Sequence, residues 1–140
     1  MIDAYQIPVS QINNIKAGAS WITEDGTVIP HERLTSPASP SRSFAYCSDT
    51  VYLPELKDIV KGVNLLYHEA TYMHERALRA EQTRHSTALQ AATVARDAEV
   101  GQLCIGHFSA SIKSEEALLE EAKSIFPNTI LAKEGLVISI

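Results

Sequence analysis

Aspartate, glutamate and histidine recur in this sequence at the points where apolar runs stop. In NLLYHEATYMHERALRAEQTRHST (64–87), the run Leu65-Leu66-Tyr67 ends in His68-Glu69, and one helix-length later comes His85-Ser86-Thr87. Two more runs end in the same way, SFAYCSDT (43–50) in Asp49-Thr50 and QLCIGHFS (102–109) after His107. Residues of these types ligate cations or move protons. Glutamate is rarely buried without a partner, so Glu69 beside an apolar run requires one. His85 precedes a predicted helix, whose free N–H groups and dipole attract anions. An imidazole placed there can donate to a phosphate oxygen.

Each residue also has a plainer role. Asp49-Thr50 can cap the helix that follows, and His68-Glu69 can reach solvent from the end of a strand. His85 can be an exposed neighbour of a helix cap, and His107 a buried imidazole satisfied by the backbone. On the residues alone, both readings stand. Catalytic zinc takes three protein ligands and a water. No H-x-H or H-x-x-x-H spacing accompanies Asp49 or His107, so the ligand set read from the chain is incomplete. His31 and His74 have no comparable setting and read as surface residues.

The elements that must position these groups alternate. Residues 1–42 are turn-rich: EDGT (24–27) predicts a hairpin between strands near Ser20–Thr23 and Val28–Pro30, and TSPASPSR (35–42) reads as a connector. From residue 43 strands and helices take turns. SFAYCSDT, VNLLYHEA (63–70) and QLCIGHFS are strands, and NTILA (128–132) and GLVISI (135–140) two more. A short helix, Leu53–Lys61, stops at Gly62, which suits a C-cap. Residues 74–82 read as helical. Ser86 or Thr87 caps a helix running to about Glu99, with a small-residue face of Ala88, Ala91, Ala92, Ala95 and Ala98. Ser114 caps a helix over 115–126, whose Leu118, Ala122 and Ile125 share a face, and Pro127 ends it. This pattern predicts an α/β fold, a sheet covered by helices, in which loops at the strands' carboxyl ends gather reactive groups.

At 140 residues, with 45% hydrophobic and 21% charged residues, the chain has the size and composition of one globular domain, 1–140. Within it, 1–42 is a hairpin and connector and 43–140 the alternating part. The formal net charge of −5 argues against a chain whose own surface drives nucleic-acid binding. No apolar run reaches the roughly 18–20 residues of a membrane span, so no membrane association is expected. MIDAYQIPVSQ has neither the basic start nor the apolar core of a signal peptide. Cys47 and Cys104 sit in apolar runs without C-x-x-C spacing and read as core thiols, which suits a reducing cytoplasm.

YHEAT (67–71), HST (85–87), YCSDT (46–50), GHFS (106–109) and the segment from Glu115 to Ile140 resemble, in order and spacing, the ribonuclease Z family. That family comprises tRNA 3′-end-processing endonucleases of the metallo-β-lactamase fold, and the resemblance runs from about residue 8 onward. It implies the C-terminal half of an αββα sandwich. Carried onto this chain, Asp49 would bridge two zinc ions and His107 would complete the ligands of one. His85 would act at the scissile phosphate as proton donor or oxyanion stabiliser, and Glu69 would orient it. The implied activity is zinc-dependent removal of the 3′ trailer from pre-tRNA, just after the discriminator nucleotide.

The chain departs from the family in lacking its H-x-H-x-D-H, a further upstream histidine and the basic arm that grips tRNA. Ser48 stands where the family more often has Gly, and IPVSQINNIKAG (7–18) only loosely follows a segment that usually opens Gly-Pro. The expectation is a C-terminal half, inactive alone, holding zinc weakly and meeting pre-tRNA through the missing half. A half-sandwich exposes an apolar face, so a homodimer or strand-exchanged oligomer is expected. The rival readings are a non-catalytic binding or scaffold domain and another metallo-β-lactamase phosphodiesterase.

Overall fold

The computed structural model describes residues 3–140 and divides into two compact units, Met1–Pro40 and Ser41–Ile140. In the first, helix α1 (Ile12–Lys16) precedes an antiparallel hairpin of β1 (Trp21–Ile22) and β2 (Val28–Ile29), and α2 (His31–Leu34) follows. The hairpin falls where EDGT placed it, and Asp25 accepts from the Thr27 N–H within the turn. Ile7, Ile15 and Ile29 are its buried apolar side chains.

The second unit is built on a parallel sheet in the order β3 (Phe44–Cys47), β4 (Leu65–Glu69), β5 (Gln102–Gly106), β6 (Thr129–Leu131). Its helices are α3 (Leu56–Ile59), α4 (Ala77–Thr83), α5 (Ala88–Asp97) and α6 (Glu115–Lys123). Helix α3 is a single turn, shorter than the sequence suggested, and Gly62 takes the positive φ that ends such a helix (+68°). Thr87 rather than Ser86 caps α5, its hydroxyl accepting from the Gln90 N–H while the Gln90 side chain accepts from the Thr87 N–H. All four alanines of α5 and its C-cap Ala98 are fully buried. With no side chain beyond Cβ, that face brings the helix axis close to β4 and β5, and Leu66, Leu103, Ile105, Leu118 and Ala122 complete the core.

The opposite face of the sheet carries aromatic residues. Tyr46 stacks on Tyr67 with ring centroids 4.5 Å apart. Tyr67 in turn lies over Gly106, where a Cβ would come within 2.5 Å of the phenol oxygen, so any larger residue there would have to push the Tyr67 ring aside. Burial is the main reason the Tyr67 phenol is pushed up to about 12. Phe44 and Tyr46 remain 53% and 64% exposed.

GLVISI does not form the strand expected of it: residues 136–140 join no ladder. Alternating apolar residues mark a strand only when a neighbouring edge offers hydrogen bonds, and these have no such partner among the described residues. Leu136 and Ile138 instead share a shallow groove with Phe44, Tyr46 and Tyr67.

His68 points into the helix-side core beside Leu66, fully buried. Its Nδ1–H donates to the Glu69 carbonyl oxygen at 2.7 Å, and its Nε2 has no partner among the described residues. Desolvation holds this imidazole below its ordinary value near 6.5. The unfolded chain therefore binds a proton that the folded chain refuses, so stability is lost as pH falls through that value. Urea midpoints measured from pH 7.5 to 5.5 should fall with a slope of up to about 1.4 kcal/mol per pH unit from this group. His68→Leu should flatten the profile by that component.

Candidate metal and proton-transfer site

The carboxyl ends of β3, β4 and β5 lie side by side, with Cys47 opposite His68 and Glu69 opposite Gly106. Parallel register alone therefore brings Asp49, Glu69 and His107 to one edge. His85 reaches the same place from the turn between α4 and α5. There Arg84 takes φ +60° and closes α4, and the His85 N–H donates to the Ala80 carbonyl at 2.8 Å. Asp49 (φ +51°) and His107 (φ +60°) also adopt the left-handed conformation. Aspartate and histidine tolerate it better than most residues, and here it turns the chain sharply off each strand.

Glu69 is fully buried and accepts four hydrogen bonds. Its Oε1 takes the Thr50 N–H (2.7 Å) and His85 Nδ1–H (2.9 Å), and its Oε2 takes the Thr71 hydroxyl (2.6 Å) and the Ser86 N–H (3.1 Å). Four donors with no competing acceptor are what an ionised carboxylate takes. The Ser86 hydroxyl donates to the Thr50 carbonyl at 2.7 Å, so the Asp49 and His85 loops are tied twice. The plainer readings of Glu69 and Asp49 are thus set aside: Glu69 does not reach solvent, and the residue at the N-cap of α3 is Glu55, not Asp49.

Above this buried group lie the exposed ones. Asp49 Oδ1 is 3.1 Å from His107 Nε2, with the two side chains 71% and 43% exposed. The His85 ring, 23% exposed, stacks near that of His107 with centroids 5.2 Å apart. Asp49, His85 and His107 each offer one ligand atom, all within 4.8 Å of one another. Two donors on a tetrahedral zinc, each about 2.1 Å from it, sit roughly 3.4 Å apart. The oxygen and nitrogen donors and the Asp49–His107 separation fit such an ion.

Asp49, Glu69, His85 and His107 are therefore brought together, whereas His68, marked with Glu69 in the sequence, faces the core instead. The convergence of His85 with the two others follows from the family resemblance but not from spacing along the chain; its direct reach to the same donor cluster is what the structure adds. The parts played by Thr50, Thr71 and Ser86 are new, each adjacent to a residue already marked or inside the HEAT and HST segments. His74 lies exposed, its N–H accepted by Glu121, and His31 pairs loosely with Glu32. Cys47 is half-buried and Cys104 buried, and burial raises both thiols.

No protein-family model matches the chain. Along all 140 residues it is 52% identical to the ribonuclease Z of Bacteroides thetaiotaomicron, covering 44% of that protein. It is likewise 52% identical over its full length to the ribonuclease Z of Phocaeicola vulgatus, covering 45% of it. The matched part is the C-terminal half, so the chain spans less than half the length of these curated relatives. Among solved structures, the metallo-β-lactamase fold protein YhfI from Bacillus subtilis superposes with a TM-score of 0.66 at 24% identity, over 71% of this chain and 40% of that one. The resemblance read from the motifs stands: the chain is homologous to part of ribonuclease Z, and its fold is part of a metallo-β-lactamase fold.

The four-donor arrangement has a measurable consequence. Replacing Glu69 by Leu strands at least two backbone N–H groups that cannot turn elsewhere, at about 1–3 kcal/mol each. Urea denaturation should show a loss of roughly 2–6 kcal/mol. Glu69→Gln, which keeps one acceptor oxygen, should fall between Leu and the parent.

Proposed function

We propose that this chain, as the C-terminal half of a ribonuclease Z, supplies one side of a zinc-dependent endoribonuclease centre that removes the 3′ trailer from pre-tRNA. The observation that carries the reading is the meeting of Asp49, His85 and His107 over the buried Glu69. Asp49 and His107 would hold zinc. Bound zinc would supply Lewis acidity, activating water and neutralising charge on the phosphodiester.

The chain's own residues do the rest. Glu69 fixes the His85 ring through Nδ1 and leaves Nε2 free on the far side of the ring. From there His85 donates a proton or hydrogen bond to the scissile phosphate, and the carboxylate beneath stabilises the imidazolium before transfer. Because Glu69 is dry and held by four donors, the ring keeps this aim without reorganising. The −5 net charge supports a division in which the RNA is gripped mainly by the other half of the protein.

The test is a chimera in which this chain replaces the corresponding half of the Bacteroides thetaiotaomicron relative. With zinc it should release the trailer just after the discriminator nucleotide, whereas the 140-residue chain alone should not do so at comparable rate. In the chimera, His85→Ala should cost about 10²–10⁴-fold in cleavage. A folded, zinc-loaded chimera that leaves pre-tRNA intact would refute the reading. The proximity of His85 to the other two donors supports a second one, in which it is a third ligand. Zinc titration of His85→Ala separates them: unchanged affinity marks a proton donor, and a large loss marks a ligand.

Self-association belongs to the same proposal. A parallel sheet is normally covered on both faces, and here Phe44 and Tyr46 stand open. Sedimentation of the isolated chain at micromolar concentration should show a dimer or larger species. A compact monomer counts against it.

A further inference from the structure

We infer that Thr71 is a positioning residue that fixes the tautomer of His107 and ties it to the Glu69–His85 pair. The inference rests on reading Asp49 and His107 as cation ligands. The Thr71 hydroxyl lies 2.6 Å from Glu69 Oε2, 3.0 Å from His107 Nδ1 and 3.0 Å from the His107 carbonyl oxygen. A threonine hydroxyl has one hydrogen to give and two lone pairs to offer. Of the three neighbours the carboxylate is the closest and the only charged acceptor, so it takes the hydrogen.

The rest follows by elimination. With its hydrogen committed to Glu69, the hydroxyl faces His107 Nδ1 with a lone pair. Two lone pairs 3.0 Å apart repel, so Nδ1 carries the ring hydrogen and donates it to Thr71 Oγ1. Nε2 is then bare and faces Asp49 Oδ1 at 3.1 Å. Two acceptors at that distance repel each other unless a cation or a proton stands between them. The relay therefore makes the Asp49–His107 edge a seat for positive charge before any metal arrives.

The same carboxylate serves both rings. His85 gives its Nδ1–H directly to Oε1, and His107 gives its own to Oε2 through one intervening hydroxyl. Both imidazoles thus turn Nε2 away from Glu69. Fixing the tautomer of a ligating histidine through its other nitrogen commonly governs metal affinity, and loss of such a partner costs about 10–100-fold.

Two measurements on the full 140-residue chain test this. Long-range nitrogen–proton correlation spectra of the metal-free chain, with the imidazoles neutral, should show His107 carrying its hydrogen on Nδ1. Thr71→Val keeps the shape but removes the hydroxyl. It should move His107 toward the Nε2–H form, which can donate to Asp49, and weaken zinc binding about 10–100-fold by calorimetry. Thr71→Ser should restore both. A parent chain whose His107 carries hydrogen on Nε2 overturns the inference without need of any variant. So does a folded Thr71→Val chain with unaltered tautomer or zinc affinity. Neither readout involves RNA: a chimera that fails to cleave leaves the tautomer standing, and a parent chain with the other tautomer leaves the endoribonuclease reading to its own test.

Discussion

A carboxylate with no access to water holds this cluster together. Glu69 lies at the end of β4, and its two oxygens collect donors from the loop after β3, from the turn before α5 and from Thr71, which reaches on to the loop after β5. A buried charge is costly unless its hydrogen bonds are complete, and here they are. Completeness also fixes geometry. Every loop that bears a reactive side chain has a polar group within hydrogen-bonding distance of Glu69 or of Thr71, so none can shift without leaving a buried acceptor unmet.

The sheet makes that convergence possible. Parallel strands present their carboxyl ends at one edge, and the register sets Cys47, His68 and Ile105 level with one another. The chain then has to turn sharply to keep its side chains at that edge. Asp49 and His107 do so with positive φ, and Arg84 does the same just ahead of His85. Glycine would adopt these angles at no steric cost but would carry no ligand. On the proposed reading ligand and turn therefore fall on the same residue, and the hydrogen bonds around Glu69 offset the backbone strain.

Much of this could be read from residue types, because hydrophobic periodicity reports burial directly. The strands ending in Asp49, Glu69 and His107, the alanine face of α5 and the Ser114 cap all follow from side chains at regular spacing. Thr50 and Ser86 remained hidden because they act through backbone N–H groups, which every residue but proline possesses. Positive φ at Asp49 and His107 was hidden as well, since neither residue type demands it. GLVISI has the composition of a strand and is not one, because strand formation depends on an edge that the segment's own residues do not encode. The meeting of His85 with Asp49 and His107 is a fact of three dimensions, 36 and 22 residues apart along the chain.

Burial divides the work between the two kinds of group. Glu69, Ser86 and Ala70 are fully buried and Thr71 nearly so, whereas Asp49 and His107 open to solvent and His85 lies between. The buried members give aim, and on the proposed reading the exposed members would meet the cation. The arrangement is preorganised within this chain, because the hydrogen bonds that orient the two rings all lie in it. On the proposed reading the rest of the protein would add cation ligands and a grip on RNA, while the alignment of His85 and His107 comes from this chain. Alignment resides in the segment that carries Glu69, and for that reason the HEAT and HST segments act as one unit: three of their short polar groups, the Thr71 hydroxyl, the Ser86 N–H and the His85 Nδ1–H, satisfy one carboxylate.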